Sequence, residues 1–416
     1  MKLNSIQVRF LSVLLLCYAS GNGQTKTNNE GILTNIGLAG SVSEINNLTT
    51  GIVINDGDLY VYNHYNNNGT VSFTTGSTTG ITRMKGLFGS QNISGSNILR
   101  WYNCEFDNNL VQPAFHLSNQ ISIAGNADFF QGIVDDDNFG GLMIFENLAN
   151  HTNVDDASHV DGFVRKNGNQ QFRFPIGDNQ QFRYAAISNP IAATDAFSGK
   201  YFWQNSNLLY PHTNRDNTIT LIDDAEYWAI EKTQGNSNIF LTLTWDVDTT
   251  PTAIYAAPID EIHIVRWDVS QNKWIDEGGV ADATNKEVTT VINPLTQYGI
   301  FTLARVKTIL PCSGSSLIVH NLISSSFNDS KNDFFSIDGI ENCPNNKVAI
   351  FNRWGVKVFE TTAYNTSGNV FTGYSEARAT LKNSERLPDG TYFYFVEVTD
   401  EESGSTNKFS GYLFLN

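Results

Sequence analysis

Three acidic clusters are the residues in this chain best suited to chemistry. Asp135-Asp136-Asp137 precedes Asn138 and Gly140, Asp155-Asp156 precedes His159 and Asp161, and Asp223-Asp224 precedes Glu226. Three readings compete for such clusters. They are solvated turn residues, or they ligate Ca²⁺ through carboxylate and carbonyl oxygens. Otherwise they are the acid and base of a glycoside hydrolase, which must stand a fixed distance apart. Asp135 and Asp137 are the calcium candidates of the first cluster. Arg165-Lys166 is the one basic pair near the second, and a polysaccharide lyase would need such a pair beside its calcium. The sequence holds no His-Glu-x-x-His helix, no Gly-x-Ser-x-Gly elbow and no Gly-rich phosphate loop. The histidines are scattered, and none sits near a cysteine at zinc-ligand spacing. The expectation is a protein with no catalytic residues and no cofactor, calcium being the one candidate ion. A secreted polysaccharide-acting enzyme is the alternative. Aromatics suggest a third class, a non-catalytic carbohydrate binder. Tyr60 and Tyr62 share a parity and hence a face, with Tyr65 in the following turn and Trp101-Tyr102 further on. Aromatic faces stack on sugars, but they also fill cores.

The elements that carry these residues read as all β. From 30 to 165, short apolar strands recur: Gly51 to Ile54, Leu59 to Tyr62, Val71 to Phe73, Ile98 to Tyr102, Ala114 to Leu117, Ile121 to Ile123 and Leu142 to Phe145. Asn55-Asp56-Gly57-Asp58 and Asn66-Asn67-Asn68-Gly69-Thr70 read as punctuation between them. Strands this short must stack on neighbours to bury anything. A β-solenoid with asparagine ladders at its turns is expected, with an antiparallel sandwich as the alternative. From 166 to 306 the strands lengthen, and alternation in Phe240 to Trp245 and Ile262 to Trp267 predicts a β-sandwich. Residues 307–316, with Pro311 and the small residues after it, read as a linker.

Composition bounds the partners. The 416 residues include 42 Asp and Glu against 26 Lys and Arg, a formal charge of −16. Such a surface repels nucleic acid, which is excluded as a partner. Residues 1–23 have the pattern of a secretory signal peptide: Lys2 and Arg9, an apolar run from Leu11 to Cys17, then small residues. Loss of Cys17 with the signal leaves Cys104, Cys312 and Cys343. In an oxidising compartment a Cys312–Cys343 pair is the better candidate, against three unpaired buried thiols.

The last hundred residues carry a series of motifs. Lys331-Asn332-Asp333-Phe334-Phe335 comes first, then Ile350-Phe351-Asn352-Arg353-Trp354-Gly355, then Leu387-Pro388-Asp389-Gly390-Thr391-Tyr392, and Gly411-Tyr412-Leu413-Phe414-Leu415-Asn416 closes the chain. Lys347 to Phe351 and Val356 to Glu360 alternate around Asn352 to Gly355 and predict a β-hairpin. Leu387 to Gly390 is a turn in which proline presets φ and glycine takes the positive φ. Trp354 reads as a core indole and Arg353 as a solvent-facing guanidinium. This series, over 317–416, resembles the gliding-motility-associated C-terminal domain, the type B sorting domain of the type IX secretion system. The resemblance implies an immunoglobulin-like β-sandwich and recognition by the type IX translocon. It further implies retention by an outer-membrane protein of the PorP/SprF family and display on a bacterial cell surface after passage through the periplasm. One departure stands out. The family opens with Pro-Asn-Gly-Asp-Gly, whereas this chain has Ser326-Phe327-Asn328-Asp329-Ser330, so only Asp329 and Asp333 remain as calcium candidates there. The combined reading is a surface structural or adhesive protein, a gliding adhesin or accessory subunit that contacts glycans or other adhesins.

Overall fold

The computed structural model describes residues 26–291, 294–306, 317–324, 333–365, 368–375, 386–399 and 406–416. The signal segment 1–23 and the linker 307–316 lie outside the described residues. The chain forms two compact units that divide between Asn167 and Gly168. No helix of the described residues is long and apolar enough to cross a membrane.

The first unit is a parallel β-solenoid of about six turns. Each full coil has three short strands, as in Lys26–Asn29, Ile32–Asn35 and Leu38–Ser41. The next coil, Glu44–Asn47, Ile52–Asn55 and Asp58–Val61, stacks on it strand for strand in parallel register. Strands of three to six residues bury one face each, so only stacking completes a core. That core is a column of side chains such as Val53, Leu59, Val71, Leu99, Ile121 and Met143, each almost fully buried. Aromatic rings pile along it: Trp101 lies 6.5 Å from Phe106, and Phe106 lies 5.5 Å from Phe129. Each large apolar side chain buried this way contributes roughly 1.5–3 kcal/mol.

Asparagines hold the coils in register. Asn29 donates to Asn47 Oδ1 at 2.8 Å, and Asn47 donates to Asn67 Oδ1 at 2.8 Å. A second ladder joins Asn28, Asn46 and Asn66, and a third joins Asn35 to Asn55. The ladders sit on strands as well as at their ends, which corrects the reading of Asn66 to Thr70 as punctuation. Tyr65–Asn67 is a strand, and Asn67 is fully buried. An amide side chain both donates and accepts, so a stack of them satisfies itself where a lone buried polar group would not.

The second unit opens with two antiparallel sheets. One contains Ala196–Phe202, Tyr227–Gln234, Gly299–Val306, Ile262–Asp268 and Lys273–Asp276, with Ile219–Ile222 paired alongside. The other contains Phe172–Arg173, Ala185–Ile187, Leu241–Thr244, Glu287–Thr289 and Val280–Asp282. The terminal segment adds a five-stranded sheet: Leu322–Ile323, Thr406–Leu415, Gly390–Thr399, Asn346–Phe351 and Lys357–Thr362. A two-stranded pair, Ile318–Val319 with Ile337–Asp338, packs over its inner face. The outer face of that sheet is not free. Ala349, Phe351, Phe393 and Phe395 form one apolar cluster with Val280, Val291 and Phe240 of the preceding sandwich. Ser410 Oγ donates to the Gly279 carbonyl at 2.8 Å across the same seam. The two domains read separately from sequence thus pack as one body.

Candidate functional site

The C-terminal motifs resolve into framework and display. Phe335 is fully buried, its ring 5.0 Å from Tyr394 and 6.1 Å from Tyr364. The Tyr364 hydroxyl donates to the Phe335 carbonyl at 2.6 Å and accepts from the Phe371 amide at 3.0 Å. Burial pushes the Tyr364 phenol up, so it stays a neutral donor. Asp333 is exposed and Phe334 half-buried, while Asn332 lies outside the described residues. Leu387 is buried, and the Tyr392 hydroxyl donates to the Pro388 carbonyl at 2.8 Å. That bond ties the start of the long strand back to its turn, as a tyrosine corner does in β-sandwiches. Thr391 follows Gly390 and is exposed at the start of the strand. Gly411 faces Tyr394 across the strand pair, where any Cβ would fall 2.3 Å from the Tyr394 hydroxyl oxygen. The glycine makes room for that phenol ring.

The hairpin tip differs. Asn352 Oδ1 accepts from the Trp354 amide at 2.9 Å and the Val356 amide at 3.0 Å. Gly355 has φ of +71°, a conformation other residues avoid. Asn352 and Gly355 therefore build the turn. Trp354 is 53% exposed, with the Arg353 guanidinium carbon 4.9 Å from its ring centroid. The indole read as core from sequence is displayed instead, because a four-residue turn points its middle side chains away from the sheet.

Among the described residues the calcium candidates form no metal site. Both Asp135 oxygens serve Asn138, at 3.0 Å to its amide and 2.9 Å to its side chain, and Asp137 is exposed. Among the described residues no group of three or more His, Cys, Asp or Glu could hold a metal ion. Asp329 lies outside the described residues, as does Cys312. Cys343 is disulfide-bonded and Cys104 is a free thiol buried in the solenoid core.

Asp223 and Glu226 are both fully buried. Glu226 accepts from Tyr201 at 2.6 Å and from Thr250, with Arg183 Nε 4.0 Å away. Asp223 Oδ1 accepts from the Ala225 and Glu226 amides, and its Oδ2 has no partner. Burial, reinforced for Asp223 by the neighbouring Glu226 charge, holds both carboxyls above their ordinary range. Lys166, half of the basic pair noted near the second cluster, points inward. Its ammonium donates to the carbonyls of Glu146, Asn147 and Ala149 at 2.7–2.9 Å. Arg165 Nε donates to Asn167 Oδ1 at 2.9 Å.

On the solenoid, Tyr60 and Tyr62 face outward and stack on each other, with centroids 6.3 Å apart and planes at 19°. Tyr65 and Trp101, grouped with them by sequence, are core. Sequence reading missed what surrounds the pair. Arg83 stands next to Tyr60 in the sheet and places its guanidinium carbon 5.5 Å from that ring. Arg83 also binds Asp58 at 3.0 Å and Glu105, and Lys85 binds Glu105 and, at 2.7 Å, Asp107. The signal was present: 83 and 105, and 85 and 107, are opposite charges 22 residues apart, one coil each.

Comparison with known proteins adds one finding. Residues 317–415 match the family model described as CHU_C Type IX secretion signal domain. No curated protein and no solved structure matches the chain. The motifs at Phe335, Asn352 to Gly355, Leu387 to Tyr392 and Gly411 all fall inside that span and account for its packing. The C-terminal segment is therefore a type IX secretion signal domain, which directs this chain through the type IX machinery to the cell surface or the extracellular space.

Proposed function

We propose that this chain is a cell-surface structural and adhesive protein, a component of the gliding or attachment apparatus. In this reading the solenoid is a stiff displayed element, and the exporter hands the chain to an outer-membrane protein of the PorP/SprF family. The observation that carries the reading is the outward face around Tyr60, Tyr62 and Arg83. Two stacked phenol rings beside a guanidinium, on strands spaced about 4.8 Å apart, make a flat amphipathic platform. Rings with a cation held over one of them suit a sugar's C–H face and hydroxyls together. Surface glycan is the contact proposed, with other adhesins as the protein alternative. No catalysis belongs to this reading. The inaccessibility of Asp223 and Glu226 supports that part of it, since no sugar reaches a fully buried carboxylate.

The test is binding of the purified chain, without residues 1–23, to a panel of bacterial and algal polysaccharides. Tyr60→Ala with Tyr62→Ala should weaken binding about tenfold or more and leave the melting temperature within a degree or two. Unchanged binding would reject the platform. Release of new sugar ends during the assay would favour the polysaccharide-acting enzyme instead.

A further inference from the structure

Among the described residues of the signal domain, Arg353 and Trp354 form an exposed aromatic–cation pair at a turn tip. The turn at 352–355 is specified by Asn352, whose backbone N–H donates to the Val356 carbonyl at 2.9 Å and whose side chain accepts two amides. The Gly355 amide closes it on the Asn352 carbonyl at 2.9 Å. A Cβ on Gly355 would also come within 3.0 Å of Phe240 in the preceding sandwich, so the turn is seated on the seam between the two domains. Among the described residues, no hydrogen bond or ion pair engages the side chain of Arg353 or Trp354. The domain's inner core excludes Trp354, and the central part of its outer sheet face is covered by the sandwich. An indole left 53% exposed at a hydrogen-bonded turn tip, with a guanidinium stacked on it, presents one apolar face and one cation together to a partner. Tryptophan and arginine are also the side chains that most often dominate binding energy at an interface.

We propose that the Arg353–Trp354 tip is the element of the signal domain that the type IX secretion machinery grips. The occupant follows from the domain's role: it is an export signal, so its reader is that machinery. The reading surface should offer an apolar slot for the indole and a carboxylate for the guanidinium. That carboxylate is the complement to a cation on a chain whose formal charge is −16. A turn already held by its own hydrogen bonds loses little backbone entropy on docking. The proposal rests on the export assignment alone and is independent of the glycan reading.

The experiment expresses full-length variants in a type IX-secreting host. It measures the surface-displayed fraction with external protease, and a chain ending at Ser316 sets the no-signal level. Trp354→Ala should lower display about tenfold or more, with the chain retained inside the cell envelope. The purified variant should melt with the wild type, because the deleted ring is largely solvated. Trp354→Phe should restore most display, and Arg353→Glu should lower it while leaving the melt unchanged. Normal display of Trp354→Ala overturns the proposal. Loss of display together with a lowered melting temperature, in both the Trp354 and the Arg353 variants, also overturns it, because the tip would then be part of the fold.

Discussion

Asp223 carries the least comfortable carboxylate in the described residues. It is buried, its Oδ2 is unpartnered, and it stands beside a second buried acid. Its raised pKa means that the folded state prefers the protonated form. Its share of the stability is therefore present below the ordinary carboxylate range and is lost as pH rises through the raised value. Asp223→Asn keeps the oxygen that accepts the Ala225 and Glu226 amides and removes the charge. That variant should be more stable than wild type at pH 7, with the gain shrinking as pH falls into the ordinary carboxylate range. Urea unfolding at pH 7 and in that range checks this, and a variant no more stable at pH 7 would refute it. His159 has the opposite sign. Burial depresses it from 6.5 to about 4, so its contribution is intact above 6.5 and lost as pH falls towards 4. The melting temperature of His159→Gln should therefore fall less than that of the wild type between pH 6.5 and 4. Parallel curves would show that His159 does not titrate on unfolding.

At the scale of elements, the asparagine ladders do the work that long strands do elsewhere. Asn47 accepts from Asn29 and donates to Asn67, so replacing it breaks both rungs and leaves Asn29 Nδ2 and Asn67 Oδ1 each short of a partner. Asn47→Ala should cost about 1–3 kcal/mol, chiefly the bond lost by the fully buried Asn67. Asn47→Asp should be comparably harmful despite its size, because a carboxylate cannot donate to Asn67. Chemical denaturation of both variants measures this, and an aspartate that behaves like asparagine would show the upper rung to be dispensable. The ladders also explain why the coil repeat was hard to read. Successive rungs are 18 and 20 residues apart, and the next bond of the column runs 30 residues, from Asn67 to the Asn97 backbone carbonyl, since corners of different length intervene. The stacking is regular while the sequence spacing is not.

For the molecule as a whole, the seam within the second unit matters most. Phe240 of the sandwich meets Phe351 of the signal domain edge to face, with centroids 6.2 Å apart. A double-mutant cycle of Phe240→Ala and Phe351→Ala should show a coupling of about 0.5–1.5 kcal/mol. Strict additivity would show that this ring pair carries no coupling across the seam. A coupled seam has a functional reading as well: the export signal is carried on the domain it exports, and the turn holding Arg353 and Trp354 keeps its place through that contact.

By itself the sequence determined the class of the protein and its address. Short β-branched and aromatic runs between asparagine and glycine leave little besides stacked or paired strands. The hairpin, turn and closing-strand motifs are local signals whose meaning does not depend on distant residues. The strand-forming role of Tyr65 to Asn67 was not legible, because asparagine is a turn residue unless another asparagine lies one coil away. Trp354 was misread for the reverse reason. Tryptophan is usually core, and only the closed turn shows that its ring has nowhere to go but out. The surroundings of Tyr60, the burial of Asp223 and the seam at Phe240 and Phe351 were decided by tertiary structure alone. Each depends on pairing residues about twenty to more than a hundred positions apart, and sequence periodicity carries no record of such distances.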